Sequence, residues 1–208
     1  MSEKKSSKGG KAETITRISF IGIGKCRTNQ LLCSWNNVNW GPAKQDPRIP
    51  TLKRVLGAAD RRLSPGQRQK IDWEGAQVFM MKEFPEGELL YLVVAMNEPD
   101  ADDGGEYPER IANGLLQEVK KKYEEDLQAG RLEQVRNSPG DDGLSLRYKD
   151  FLTGLAQKFD DPMGYDKLAR VQAKTTAVQQ LMRGNIGHML KQTEDLNVLD
   201  EQAAAMEQ

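Results

Sequence analysis

Apolar positions recur along this chain in two rhythms, and the change from one to the other divides it. From Thr14 to Ile23 the residues alternate, with Ile15, Arg17, Ser19 and Ile21 on one face and Ile18, Phe20 and Ile23 biased to the other, which predicts a strand. Gln30 to Trp35 predicts a second, short strand after a connection of hairpin length. Asn36 to Pro50 carries prolines at 42, 47 and 50 and predicts a loop, with two exposed-looking tryptophans, Trp35 at its start and Trp40 within it. Thr51 is placed as the N-cap of a helix with the stripe Leu52, Val55, Leu56, Ala59 and Leu63. Beyond Ser64-Pro65-Gly66, the β-like runs Arg68 to Trp73 and Ala76 to Phe84 meet at Glu74-Gly75, where glycine tolerates the positive φ of a tight hairpin turn. Leu89 to Met96 is a nearly continuous apolar run, the mark of a strand covered on both faces. Pro108 then opens a long helix with Ile111, Leu115, Val119 and Tyr123 in register. A last amphipathic stretch, Tyr148, Phe151, Leu152, Leu155 and Phe159, ends before Asp160-Asp161-Pro162. The order ββαβββαα predicts an α+β domain over 14–160, an antiparallel sheet with segregated helices.

After Tyr165 the rhythm changes. Leu168, Val171, Thr175, Val178, Met182, Asn185, Met189, Gln192, Leu196, Leu199, Ala203 and Met206 step by three and four in alternation, which predicts a coiled-coil seam over 161–208. Thr175, Asn185 and Gln192 are polar seam positions, and Gly184 and Gly187 each weaken a helix interior by about 1 kcal/mol relative to alanine. Alone, this helix is expected to be unfolded. An exposed stripe of Val178, Met182, Met189 and Leu196 is one that soluble monomers rarely tolerate, so the segment is expected to fold back on the domain. The receiving surface would be the helix Leu52 to Leu63 and the strand Arg68 to Trp73 beside it.

Composition narrows the chemistry. The 208 residues hold 30 Lys+Arg against 31 Asp+Glu, a balance that disfavours a nucleic-acid binder. A lone histidine, His188, leaves too few ligands for a structural zinc site and removes most triad chemistry; it reads as an exposed polar residue. Cys26 and Cys33 make no disulfide framework and point to a reducing compartment. Phe20-Ile-Gly-Ile-Gly-Lys25 lacks the spacing and the Ser/Thr of a phosphate loop, and Asp100 to Gly105 lacks the glutamate of a calcium loop. No catalytic residue, metal ligand or cofactor is expected. The N-terminal residues 1–13 read as a disordered basic tail without a signal sequence, and no apolar stretch is long enough to span a bilayer.

The stretch Met182-Arg-Gly-Asn185-Ile186, with a glutamine in a later layer and then Leu196 and Leu199, resembles the SNARE motif of R-SNAREs of the vesicle-associated membrane protein type. The preceding domain, with its ββαβββαα order and Leu90-Tyr-Leu-Val-Val-Ala-Met-Asn-Glu followed by 107–126, resembles a longin domain. The resemblance implies a longin (profilin-like) five-stranded antiparallel sheet with flanking helices, followed by a coiled-coil SNARE-motif helix. It further implies a protein of vesicle-mediated transport and membrane fusion on the cytosolic face of endomembranes. The twelve seam residues would be layers of a four-helix bundle with Q-type SNARE partner helices, and an adaptor or small GTPase would bind the longin domain. Asn185 would pin the register, and Gln192 would take the central layer where the family carries arginine. A non-fusogenic longin scaffold is the alternative. The family's motif runs beyond Met206 into a transmembrane helix, so the chain is expected to be either truncated or without an anchor of its own.

Overall fold

The computed structural model describes residues 17–37, 46–98, 105–132, 141–162, 164–165 and 182–193. The chain forms β1 (Ile18–Lys25), β2 (Gln30–Asn36), α1 (Ile49–Arg62), β3 (Arg68–Trp73), β4 (Ala76–Lys82), β5 (Leu89–Met96), α2 (Glu109–Gln128), α3 (Ser145–Asp160) and β6 (Met182–Asn185), with a further helix, α4, at 186–193. The fold is α+β, and the sheet order is β2-β1-β5-β4-β3-β6. The first five strands in that order are antiparallel, while β6 adds a sixth strand parallel to β3. The expected five-stranded antiparallel sheet is therefore extended to a six-stranded mixed one.

Central β5 explains why the sheet needs helices on both sides. Leu90, Leu92 and Val94 belong to the cluster under α1, whereas Leu89, Tyr91, Val93 and Ala95 belong to the cluster under α2 and α3. Period-two alternation of apolar residues leaves no face that water can take. Strand β1 departs from the simple alternation expected of it. A register shift between Ile18 and Phe20 puts Ile18, Ile21 and Ile23 in the α2/α3 cluster and Phe20 in the other, so Ile18 and Ile21 share a face after all. At Gly24 a Cβ would lie 2.5 Å from Leu56 Cδ1, so the missing side chain is what lets α1 close on β1. The β3–β4 turn falls at Glu74-Gly75 as expected, with φ of 42° and 76°.

Helix α1 begins earlier than expected. Its N-cap is Arg48 and Pro50 lies within the first turn, where proline removes only a donor that had no intrahelical partner; Thr51 is already helical. Its approach is tied down by a buried pair. The Arg48 guanidinium donates to Asp46 Oδ2 at 2.7 Å and to Ser19 Oγ at 2.8 Å on β1. Burial alone would raise the Asp46 carboxyl, but the Arg48 hydrogen bonds outweigh it and hold the group below its ordinary range. Trp35, expected to be exposed, is half-buried against the core and donates from Nε1 to Thr153 Oγ1 at 3.0 Å. Trp40 lies outside the described residues, as do the tail at 1–13 and the loop at 99–104.

Both edges of the five-stranded antiparallel part of the sheet are covered. Beyond β2, Asp142 N donates to Leu31 O at 2.7 Å and Leu144 N to Leu32 O at 2.9 Å, so the turn before α3 occupies that edge. Beyond β3 the cover is β6. An uncovered edge would offer unpaired amides and carbonyls to any passing strand.

Candidate functional site

The C-terminal segment 182–193 lies where the sequence placed its receiving surface, against β3 and α1. Its first four residues pair with β3 in the register Gln69↔Met182, Lys70↔Arg183, Ile71↔Gly184 and Asp72↔Asn185. In this arrangement the expected continuous helix is not formed at that point: Met182 and Asn185 sit in a strand. The physical reason is a competition that Gly184 decides. Glycine weakens a helix here, and β3 supplies an edge that no other strand takes among the described residues. A Cβ on residue 184 would lie 3.2 Å from Gln69 Nε2, so glycine also suits the close approach of the two strands.

Asn185 ends the strand and starts the helix. Its Oδ1 accepts a hydrogen bond from Gly187 N at 2.9 Å, the side-chain bond of an N-cap to the second helical residue. The side chain expected to be a buried register pin is therefore an exposed cap in this arrangement. In α4 the inward residues are Ile186, Met189 and Leu190, spaced i, i+3, i+4, and all three join the apolar cluster of α1 and the sheet. Met189 is the most buried, at 1% exposure. Arg62 Nη1 of α1 donates to Met189 O at 3.4 Å, and Thr193 Oγ1 donates to the same carbonyl at 2.9 Å.

Only Met189 among the expected layer residues is an inward side chain in α4. Gln192, expected at a central layer, is exposed, with Nε2 3.3 Å from His188 Nε2, and His188 is exposed as expected. Leu168, Val171, Thr175, Val178, Leu196, Leu199, Ala203 and Met206 lie outside the described residues. The reading of one seam missed Ile186 and Leu190. Their signal was present: Ile186, Met189 and Leu190 form a second stripe, rotated by one residue from the layers, and two short stripes that share a methionine cannot both be central to one contact.

The electrostatics around the segment are specific. On β3, Lys70 is buried, and its Nζ donates to Glu106 Oε2 at 2.5 Å with Glu109 Oε1 at 3.9 Å, a pair that ties the strand to the start of α2. Beside α4, a cavity of about 300 Å³ opens between the β1–β2 turn, α1 and the segment. Cys26 lines it, and burial pushes its thiol up to about 12, as it does that of Cys33. Both cysteines are free and buried. Thiols so held are poor nucleophiles at neutral pH. Among the described residues no group of histidine, cysteine and carboxylate side chains is arranged to hold a metal ion, and no helix is long and apolar enough to cross a membrane. The arrangement supplies an occluded contact surface, two edges of which are made by the chain's own C-terminal segment. Compared with models of known protein families the chain matches none, and no curated protein matches it in sequence.

Proposed function

We propose that this chain is a longin R-SNARE-like protein of vesicle-mediated transport, held in a closed form in which its SNARE-motif segment occupies the domain's own α1–β3 groove. The observation that carries the reading is the burial of Met189 beside Ile186 and Leu190 in the cluster under α1, with β6 on the β3 edge. The strand order β2-β1-β5-β4-β3, with α1 on one face and α2 and α3 on the other, supports the longin half of the resemblance. The protein acts by helix association, without catalysis. Opening releases 182–193 from β3 and α1, and the freed seam folds against Q-type SNARE helices. Coupled folding of this kind draws on buried apolar area, about 1.5 to 3 kcal/mol for each fully buried Leu or Met side chain before ordering costs. The site of action is the cytosolic face of endomembranes, reached through partners or an anchor.

The test mixes the full chain, and a Leu190→Asp variant that loosens α4, with three glutamine-type SNARE helices, and follows helicity and assembly size. The expected result is a gain of helix in a four-component complex, faster for the variant. No gain in either protein overturns the partner-helix reading. A second reading, a scaffold that docks an adaptor or small GTPase, is favoured by one feature. With the segment in place, a cavity of about 320 Å³ remains open farther along the same face, between Thr51, Trp73 and Met96.

A further inference from the structure

Ser64 stands where α1 ends and the chain turns toward β3, and its backbone and side chain are used differently. Its amide donates to Gln67 Oε1 at 2.9 Å and its carbonyl accepts from Gln67 N at 3.0 Å, while its hydroxyl is exposed and has no partner among the described residues. Leu63 before it is extended, with φ −104° and ψ 127°, and a residue that precedes proline is itself held extended. Pro65 and Gly66, the latter at φ 80°, close the turn and leave the Ser-Pro pair on the surface. Extended backbone around an exposed hydroxyl is what a kinase cleft accepts. The proline then selects the enzyme: it has no amide hydrogen and a fixed φ, so a kinase that bonds the amide after the acceptor refuses it and a proline-directed kinase takes it. Ser64 also lies two positions from the guanidinium that ties α1 to α4. Arg62 Nη1 donates to Met189 O at 3.4 Å, a long bond to a neutral carbonyl. Leu63 is 3% exposed and faces the α1 cluster, so Arg62 and Ser64 on either side of it turn outward together. Met189 O keeps its bond from Thr193 Oγ1 when Arg62 leaves, so the departure orphans no acceptor.

We propose that Ser64 is a phosphorylation site for a proline-directed kinase, and that its phosphate draws Arg62 from Met189 O and loosens the docked segment 182–193. In the transfer Ser64 Oγ attacks the γ-phosphorus of magnesium-ATP and its proton passes to a carboxylate base of the kinase. The new Oγ–P bond replaces the bond to the β–γ bridging oxygen, and ADP leaves with that electron pair. The phosphoserine carries about −1.5 to −2 charge at neutral pH. A guanidinium meets it with paired, charge-assisted hydrogen bonds, which outcompete a single long bond to a carbonyl. The charge also sits just past the C-terminus of α1, where the negative end of the helix dipole opposes it and weakens the turn that carries Arg62. Lys82, the cation at that helix end, is already engaged, with Nζ 2.9 Å from Asp60 O and 3.4 Å from Asp60 Oδ1. The inference rests on the closed packing of the proposed function and not on the identity of any partner helix.

The experiment uses the full chain carrying Ser138→Ala, which removes the other Ser-Pro pair of the sequence, Ser138-Pro139. It is incubated with magnesium-ATP and a cyclin-dependent kinase as the proline-directed probe, and in parallel with a basophilic kinase that reads the preceding Arg61-Arg62. Peptide mass spectrometry maps the phosphate, and amide exchange of 186–193 is read before and after. The expected result is modification of Ser64 by the proline-directed kinase, absent in Ser64→Ala, and exchange in 186–193 faster by about fivefold, the ratio for losing one hydrogen bond. Arg62→Gln should show a similar acceleration without phosphate, and phosphorylation of that variant should add little more. No phosphate on Ser64 from the proline-directed kinase, or modification by the basophilic kinase alone, overturns the assigned site. Unchanged or slower exchange in 186–193 after modification, or a full further acceleration in Arg62→Gln, overturns the release through Arg62. Absence of protection in 186–193 of the unmodified chain refutes the closed packing and this inference with it, whereas protection that survives phosphorylation refutes this inference alone.

Discussion

Met189→Ala isolates the closed contact from the rest of the fold. Met189 is 1% exposed and Ile186 and Leu190 are each 9% exposed, so the truncation removes most of the side chain that reaches deepest from α4. Burying a side chain of this size is worth about 1.5 to 3 kcal/mol, and truncating one in a core removes about 2 to 5 kcal/mol. The lower figure applies here, because a helix of eight residues at the edge of a cluster can settle into the space left behind. Against the docking energy stands the ordering of the segment, roughly 1 to 2 kcal/mol for each backbone residue fixed, so the net stability of the closed form is a small difference. A loss of about 2 kcal/mol therefore multiplies the open population by about 30. Amide exchange on the full chain reads this directly. Protection in 182–193 should fall by that factor, while amides of β5 paired to β1 keep theirs, because local opening does not require the sheet to unfold. Unchanged exchange in 182–193 would mean that the segment is not held by this contact. Equal loss of protection in β1 and β5 would mean that the segment and sheet unfold as one unit, which refutes the argument that the closed form opens locally.

Gln192→Arg should leave exchange in 182–193 unaltered, since Gln192 is exposed in the closed form, and should raise the melting temperature of a bundle with three glutamine helices, where a guanidinium supplies donors that an amide lacks; a lower bundle melting point would count against a central-layer role. Gly184→Ala should add about 1 kcal/mol of helix propensity at that position, seen as more helix in an isolated 165–208 peptide by circular dichroism and as faster exchange of 182–185 in the full chain. Cys26 and Cys33 should resist iodoacetamide at pH 8 in the native protein and react on unfolding. Their raised thiol pKa values also make stability fall as the pH rises from the ordinary thiol range toward about 12, because only the unfolded chain then ionises; urea melts between pH 8 and 11 check the sign. Lys70→Met should change stability by less than about 1 kcal/mol in urea melts, since the acid it leaves, Glu106, is largely exposed and an apolar side chain of similar length fills the buried position.

The sheet was legible because its strands differ in how they meet the core. Arg68–Trp73 and Leu89–Met96 coincide with the runs marked in the sequence, and the turn between β3 and β4 sits on the one dipeptide there that accepts two positive φ values. Two features were not legible for physical reasons. The bulge near Ser19 in β1 shifts the alternation by one residue, and a bulge leaves no mark in the types of residue around it. Helix α1 starts at Ile49 because Pro50 fits a first turn as readily as it breaks an interior, so the same residue argued for a loop and serves a helix. At the site, heptad spacing identified Met189 but could not foresee β6. A strand against an open edge depends on β3, more than a hundred residues earlier in the chain, and no local rhythm contains that information.

On the proposed reading, the two arrangements of 182–193 would compete through the same atoms. In the closed form Met189 points into the α1 cluster, Asn185 caps α4 and Gln192 faces outward. In a four-helix bundle all three would turn inward on one continuous helix, and residues 182–185 would exchange β pairing with β3 for intrahelical hydrogen bonds. A rotation of α4 cannot convert one into the other, because Met182–Asn185 is extended and must first leave its strand. Gly184 lowers the stability of the continuous helix, and Asn185 supplies the cap that the interrupted one needs. These two adjacent residues both favour the closed form, whereas Gly187 lies within α4 as well as within a continuous helix and weakens both. On the proposed reading a partner must contribute enough buried seam to outweigh both, and replacing either of them shifts the balance toward the open chain before a partner arrives.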